Sequence, residues 1–179
     1  MIYKTYPAFS SSASKLRKHF DQRFSDPRIS SPDRFVWDYW HVPDQYTFLR
    51  TPAWEYFPKN LYRRFHTELV NWGRENLGCH DISPTWLSCY VHGCHQQLHC
   101  DQPHGPLAFV LSLTPWQKRT FSGGETIILK GSRSESAFRE RKQLFYSVPA
   151  KFNQLLVFNP SVPHGVDEVC GTRDPRCAR

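Results

Sequence analysis

Three residues with very different metal chemistry stand side by side in "QQLHCDQPHGP" (96–106): His99, Cys100 and Asp101. A zinc site would favour the thiolate, whereas an iron or magnesium site would favour the carboxylate oxygen. In an extended stretch alternate side chains point to opposite faces, so His99 and Asp101 share one face and Cys100 takes the other. An H-x-D pair on a strand offers one imidazole nitrogen and one carboxylate oxygen to the same ion. A second imidazole would complete a two-histidine, one-carboxylate face. Such a face leaves positions open for substrates and suits non-haem Fe(II). His164, in "NPSVPHGV" (159–166), follows one strand-like run and opens another, so it can supply that ligand from a neighbouring strand.

The elements that must position these residues are strands. "TWLSCYV" (85–91), "LAFVLSLT" (107–114), "ETIILK" (125–130), "NQLLVFN" (153–159) and "HGVDEV" (164–169) are short β-rich runs separated by Gly, Pro and polar turns. The charged stretch "KGSRSESAFRERKQ" (130–143) reads as an exposed loop. Upstream, Leu61, Phe65, Leu69 and Trp72 recur at helical spacing between Pro58 and Gly78, which are start and stop signals. The aromatic and proline-rich stretch before Pro58 predicts short pieces packed by their rings rather than a long helix. Helices in front and strands behind make the class α+β, mainly β. A sandwich, jelly roll or barrel accounts for so many short strands. One compact domain is expected, with residues 1–83 as a helical, aromatic-rich support and 84–179 as the core.

Composition narrows the classes. The chain has 179 residues, of which 39% are hydrophobic and 15% aromatic, so it is neither disordered nor fibrous. No apolar run reaches the length of a membrane span, and the first residues lack a secretory signal, so a cytoplasmic protein is expected. None of the six cysteines forms a C-x-x-C pair, and they read as free thiols of a reducing compartment. The formal charge of +7 comes from scattered basic residues, which argues for solubility rather than nucleic-acid binding.

The ordered series "YVHG … HCD … LAFVLSLT … SGGET … NQLLVFN … HGV" resembles the Fe(II)/2-oxoglutarate-dependent dioxygenases, in particular the prolyl 4-hydroxylase-like group. The resemblance covers residues 84–179 and implies a double-stranded β-helix, a cupin-like jelly roll with the N-terminal helices packed on its sheet. It implies iron held by His99, Asp101 and His164, with 2-oxoglutarate and O2 as co-substrates and ascorbate as an accessory. The implied activity couples decarboxylation of 2-oxoglutarate to succinate and CO2 with attack on a C–H bond. The substrate would be a protein side chain, prolyl- or lysyl-like, or a small molecule.

A cation must then meet the distal carboxylate of 2-oxoglutarate, and both Arg173 and Arg179 are candidates. Arg173 has the family's usual distance from His164, but Pro175 would interrupt a strand there. "CGTRDPRCA" (170–178) therefore reads as a loop, which makes Arg179, opening the next strand, the preferred clamp. Tyr90 and Thr126 match positions near the co-substrate. Ser112 stands where the family often has a tyrosine. The family continues into a further core strand after the arginine, so either the sequence is a fragment or its last strand is supplied differently; low stability and little activity are expected of the chain as it stands.

Rival readings use the same residues. His99 and Asp101 could be an ordinary hydrogen-bonded pair, and His92, His95 and His104 ordinary histidines. "CYVHGCHQQLHC" could build a zinc module from Cys89, His92, Cys94, His95 or Cys100, although its spacings fit no common structural pattern. The pair Arg173 and Arg179, as R-x5-R, resembles an element of nucleic-acid dealkylating oxygenases. A jelly roll without catalysis would neither bind iron nor turn over 2-oxoglutarate.

Overall fold

A computed structural model describes residues 1–23, 37–101, 105–130 and 144–179. The elements are β1 (Tyr3–Tyr6), α1 (Ala13–Arg23), β2 (Asp38–Val42), β3 (Tyr46–Pro52), α2 (Ala53–Tyr56), α3 (Lys59–Leu77), β4 (Trp86–Cys89) and β5 (His95–His99). They continue with β6 (Ala108–Ser112), β7 (Thr126–Leu129), β8 (Phe145–Val148), β9 (Gln154–Phe158) and β10 (His164–Val166). Every pairing among these strands is antiparallel.

Two sheets result. The smaller has the order β1-β9-β6, and the larger runs β2-β3-β5-β10-β7-β8 with β4 added to β3. Each strand of β9 and β10 is buried along nearly its whole length. Leu155 and Val157 of β9 join Leu16 and Phe20 of α1 and Phe65 and Leu69 of α3 in one apolar cluster. Leu156 and Phe158, on the alternate positions, join Ile128 and Val148 of the larger sheet in another. The small sheet is thus packed on both faces, which is why its central strand is a continuous apolar run.

Helix α3 follows its sequence signals. Phe65, Leu69 and Val70 are buried, and Gly78 ends the helix at φ 67°, the left-handed conformation in which glycine has no steric penalty. The stretch before Pro58 holds more regular structure than its prolines predict. It contributes β1, the eleven-residue α1 and the β2–β3 hairpin. Strands β1 and β2 are only four and five residues long, and their pairing partners lie elsewhere in the chain or across a tight turn. Such strands are stabilised by tertiary pairing rather than by local pattern. Most of the charged stretch 130–143 lies outside the described residues, as does His104. Among the described residues no helix is long and apolar enough to cross a membrane.

Leu155 has no exposed surface and sits where helices meet the sheet. Leu155→Ala should therefore cost about 2–5 kcal/mol of unfolding free energy, the usual range for a leucine truncated in a packed core. Urea denaturation would register it as a lower midpoint at unchanged slope.

Candidate active site

Strands β5 and β10 lie side by side with His164 directly opposite His99. Opposed residues on paired strands project to the same face, and the two imidazole rings are 4.5 Å apart between centroids. Asp101 lies just past the end of β5, where its amide donates to the Pro160 carbonyl at 3.0 Å. That bond turns the chain back over the loop before β10. His99 Nε2 is then 3.4 Å from Asp101 Oδ1, and His164 Nε2 is 3.3 Å from Asp101 Oδ2. One ligand atom from each of the three residues lies within 4.8 Å of the others.

The hydrogen bonds behind the rings decide what this trio wants. His99 Nδ1 is 2.9 Å from the Gln97 carbonyl, and His164 Nδ1 is 2.9 Å from the Val162 carbonyl. A carbonyl only accepts, so both Nδ1 atoms carry the proton and donate. In the neutral tautomer each Nε2 then aims a lone pair at a carboxylate oxygen. Only a cation between them reconciles three such donors. The two imidazoles hold the Asp101 carboxyl far below the usual carboxylate range, that of His164 most strongly. The Asp101 hydrogen bond likewise raises His99 above an ordinary histidine. Donor spacings of this size also suit a metal, since neighbouring ligands bonded at about 2.1 Å to one ion lie roughly 3 Å apart. Fixing the tautomer through a backbone carbonyl is the usual support for a metal-bound histidine.

Close strand approach is required here, and Gly165 permits it. A Cβ at Gly165 would stand 2.5 Å from the Gln96 carbonyl oxygen and 3.0 Å from that of Gln97. Gly165→Ala should push β10 away from β5 and separate His164 from His99. The expected outcome is an Fe(II) or Mn(II) affinity lower by about 10–100-fold, the range seen when the support of metal ligands is disturbed. Metal titration checks it.

The trio opens into a cavity of about 1140 Å³, whose lining includes Phe48, Arg50, Tyr90, Gln96, Thr126 and Arg179. Arg179 pairs with Tyr90 through both backbone groups, at 2.7 and 3.2 Å. Its guanidinium lies 4.7 Å over the Tyr90 ring, and Nη2 donates to Thr126 Oγ1 at 2.8 Å. Its Nε is buried without a hydrogen-bond partner. Burial lowers the Arg179 pKa and pushes that of the Tyr90 hydroxyl up to about 12, so Tyr90 stays protonated and donates to Gln96 Oε1 at 2.9 Å. Thr126 is brought in by the double glycine. Gly123 and Gly124 have φ of 72° and 79°, and a Cβ on Gly123 would overlap the Glu168 carbonyl oxygen at 1.9 Å.

A family model described as the 2OG-Fe(II) oxygenase superfamily matches residues 85–178. The chain belongs to this superfamily. It is a 2-oxoglutarate-dependent dioxygenase, and Fe(II), 2-oxoglutarate and O2 are its cofactor and co-substrates. A search of curated protein sequences gives no match. Among solved structures, a Pseudomonas putida prolyl-4-hydroxylase superposes with a TM-score of 0.64 at 13% identity, covering 94% of this chain and 86% of that one. A Trichoplax adhaerens prolyl hydroxylase, solved with a hypoxia inducible factor peptide fragment, gives 0.64 at 14%, covering 94% and 78%. A viral collagen prolyl hydroxylase from Paramecium Bursaria Chlorella virus-1 gives 0.57 at 12%, covering 96% and 90%. At such identities the likeness is one of fold, and the fold is the jelly roll.

Other residues of the oxygenase fall outside this arrangement. Arg173 is exposed and absent from the cavity lining. Ser112 reaches the lining, but its hydroxyl donates to the Ala150 carbonyl at 2.6 Å and accepts from the Thr114 amide. The Cys100 thiol turns to the Ser161 carbonyl at 3.4 Å, and Cys89 and Cys94 are buried in separate apolar clusters. Among the described residues, His99, Asp101 and His164 form the only group of metal-ligating side chains. Residues that sequence reasoning passed over are the carbonyls of Gln97 and Val162, Gly165, Gln96 and Arg50. Of these only Gly165 had a local signal, as the glycine directly after the histidine.

Proposed function

We propose that the oxygenase hydroxylates an unactivated C–H bond of a protein side chain, prolyl- or lysyl-like, or of a small molecule. The observation behind this reading is that His99, Asp101 and His164 share one cavity with a buried, incompletely partnered arginine, Arg179. In this reading His99, Asp101 and His164 hold Fe(II). Iron, 2-oxoglutarate and O2 together supply the oxidising power that converts C–H to C–OH, with succinate and CO2 as the other products.

The chain's own residues orient and enclose. Arg179 offers the distal carboxylate of 2-oxoglutarate a guanidinium held flat on Tyr90, while Thr126 Oγ1 fixes its direction. A buried guanidinium with an unmet donor is costly unless an anion completes it. Tyr90 stays a neutral donor beside it. Arg173 and Ser112 have no part in this cradle. Phe158, whose ring centroid is 4.6 Å from that of His164, shields the ligand from water. The prolyl hydroxylases among the fold's relatives, one of them seen with a peptide, support a side-chain substrate.

The test is succinate formation with Fe(II), ascorbate and 2-oxoglutarate over a panel of prolyl and lysyl peptides and free amino acids. Products are followed by mass for the gain of one oxygen atom. Succinate that depends on a panel member, with that member oxygenated, supports the reading. Oxygenation with loss of a methyl group from an alkylated oligonucleotide, and none on the panel, would overturn it.

A further inference from the structure

Two guanidinium groups besides that of Arg179 line the cavity; Arg17 is paired with Asp21 at 2.9 Å, whereas neither the metal nor the co-substrate accounts for Arg50. Arg50 stands on β3, on the same face as Phe48, and both contribute to the cavity that holds His99, Asp101 and Arg179. Its guanidinium lies 4.2 Å over Trp86 and 5.0 Å from Trp40. Trp54 packs edge-on against Trp86 at 5.6 Å, and Trp40 packs on Phe48 at 6.2 Å, so the two indoles are themselves braced. Trp86 is nonetheless 42% exposed, which puts this cluster at the cavity's edge with solvent.

Arg50 Nε is buried without a hydrogen-bond partner. Asp38 stands opposite Arg50 in the β2–β3 register, yet among the described residues the Arg50 side chain forms no ion pair or hydrogen bond. The indoles attract the cation through their faces but accept none of its N–H groups. They hold the guanidinium plane in place and leave its donors unsatisfied. A run of stacked rings separates this cation from the other: Arg179 lies on Tyr90, Tyr90 on Phe48 at 5.4 Å, Phe48 on Trp40, and Trp40 beneath Arg50. Arg50 and Arg179 thus share one aromatic floor, in the cavity that the metal ligands also line.

We propose that Arg50 is a specificity-determining residue that binds a carboxylate of the primary substrate, with the Trp40 and Trp86 faces against that substrate's apolar part. A planar guanidinium with free donors matches a carboxylate in two parallel hydrogen bonds. The proposal rests on the reading of this cavity as the oxygenase active site, with Arg179 as the partner of 2-oxoglutarate.

Benzoate and benzamide serve as probes, because they share an apolar ring and differ in charge. Each is titrated against the full chain saturated with Mn(II) and 2-oxoglutarate under argon, followed by ligand-observed NMR. The expected result is a benzoate affinity about tenfold above that of benzamide, the size of effect a charge-assisted pair gives. Arg50→Gln should abolish the preference, and Arg50→Lys should restore part of it. 2-Oxoglutarate affinity, measured separately, should be unchanged in both variants. Equal binding of the two probes, no binding of either, or a preference that survives in Arg50→Gln would overturn the proposal. So would loss of 2-oxoglutarate binding in Arg50→Gln, because Arg50 would then be the co-substrate's partner. Failure of the wild-type chain to bind Mn(II) and 2-oxoglutarate at all would instead strike the underlying active-site reading.

Discussion

His99→Ala, Asp101→Ala and His164→Ala are each expected to lower succinate formation by more than about a hundredfold, while Cys100→Ser keeps most of it. Disturbing the residues that merely support metal ligands costs roughly 10–100-fold in affinity or activity, and loss of a ligand removes more. The three positions are not equivalent in the metal-free chain. Asp101 stands between the two imidazoles, at 3.4 Å from one and 3.3 Å from the other. Its removal takes away the group that both rings face. Cys100, one residue earlier, contacts the Ser161 carbonyl instead and contributes nothing to the cluster. Metal content after gel filtration, measured beside succinate, separates loss of the ion from loss of the fold. If Cys100→Ser released the metal and Asp101→Ala retained it, the assignment of the ligands would be wrong and a thiolate site would replace it.

Arg179→Ala is expected to weaken 2-oxoglutarate by about tenfold to a hundredfold, and Arg173→Ala to leave it unchanged. Hydrogen bonds to charged groups contribute roughly 1.5–3 kcal/mol, which converts to that range of affinity. Arg179 has the required surroundings: an aromatic ring beneath it, a threonine hydroxyl at 2.8 Å and a buried Nε without a partner. Arg173 is exposed to solvent, where a single ion pair is worth about 0–1 kcal/mol. The apparent KM for 2-oxoglutarate at saturating Fe(II) is the measurement. Arg179→Lys helps to interpret it, because a lysine keeps the charge but loses the planar fork and should recover only part of the effect. A large rise in KM for Arg173→Ala with none for Arg179→Ala would reverse the assignment.

Several features of the site were legible in the sequence because they depend on local periodicity. Alternation along an extended chain predicted that His99 and Asp101 share one face and that Cys100 takes the other. The run NQLLVFN (153–159) read as a strand, and Phe65 and Leu69 recurred at the helical spacing that α3 shows. These are statements about neighbours in sequence, which local backbone geometry can express.

What only the tertiary structure decided is which distant residues meet. The partnering of His164 with His99 depends on an antiparallel register across 64 intervening positions, and register is set by pairing and burial over the whole sheet. The carbonyls of Gln97 and Val162, which set the imidazole tautomers, have no sequence signature because every residue has a carbonyl. The hairpin of β2 and β3 was hidden among prolines and aromatics, and with it the cation Arg50. Its unmet donors exist only because Trp40 and Trp86, 46 residues apart in the chain, close on it from two strands. The short β-rich runs of this chain mark it as folding around strands, and two short motifs supply the candidate chemistry of one wall. The shape of the cavity and the placing of its charges arise from long-range packing, which no local pattern encodes.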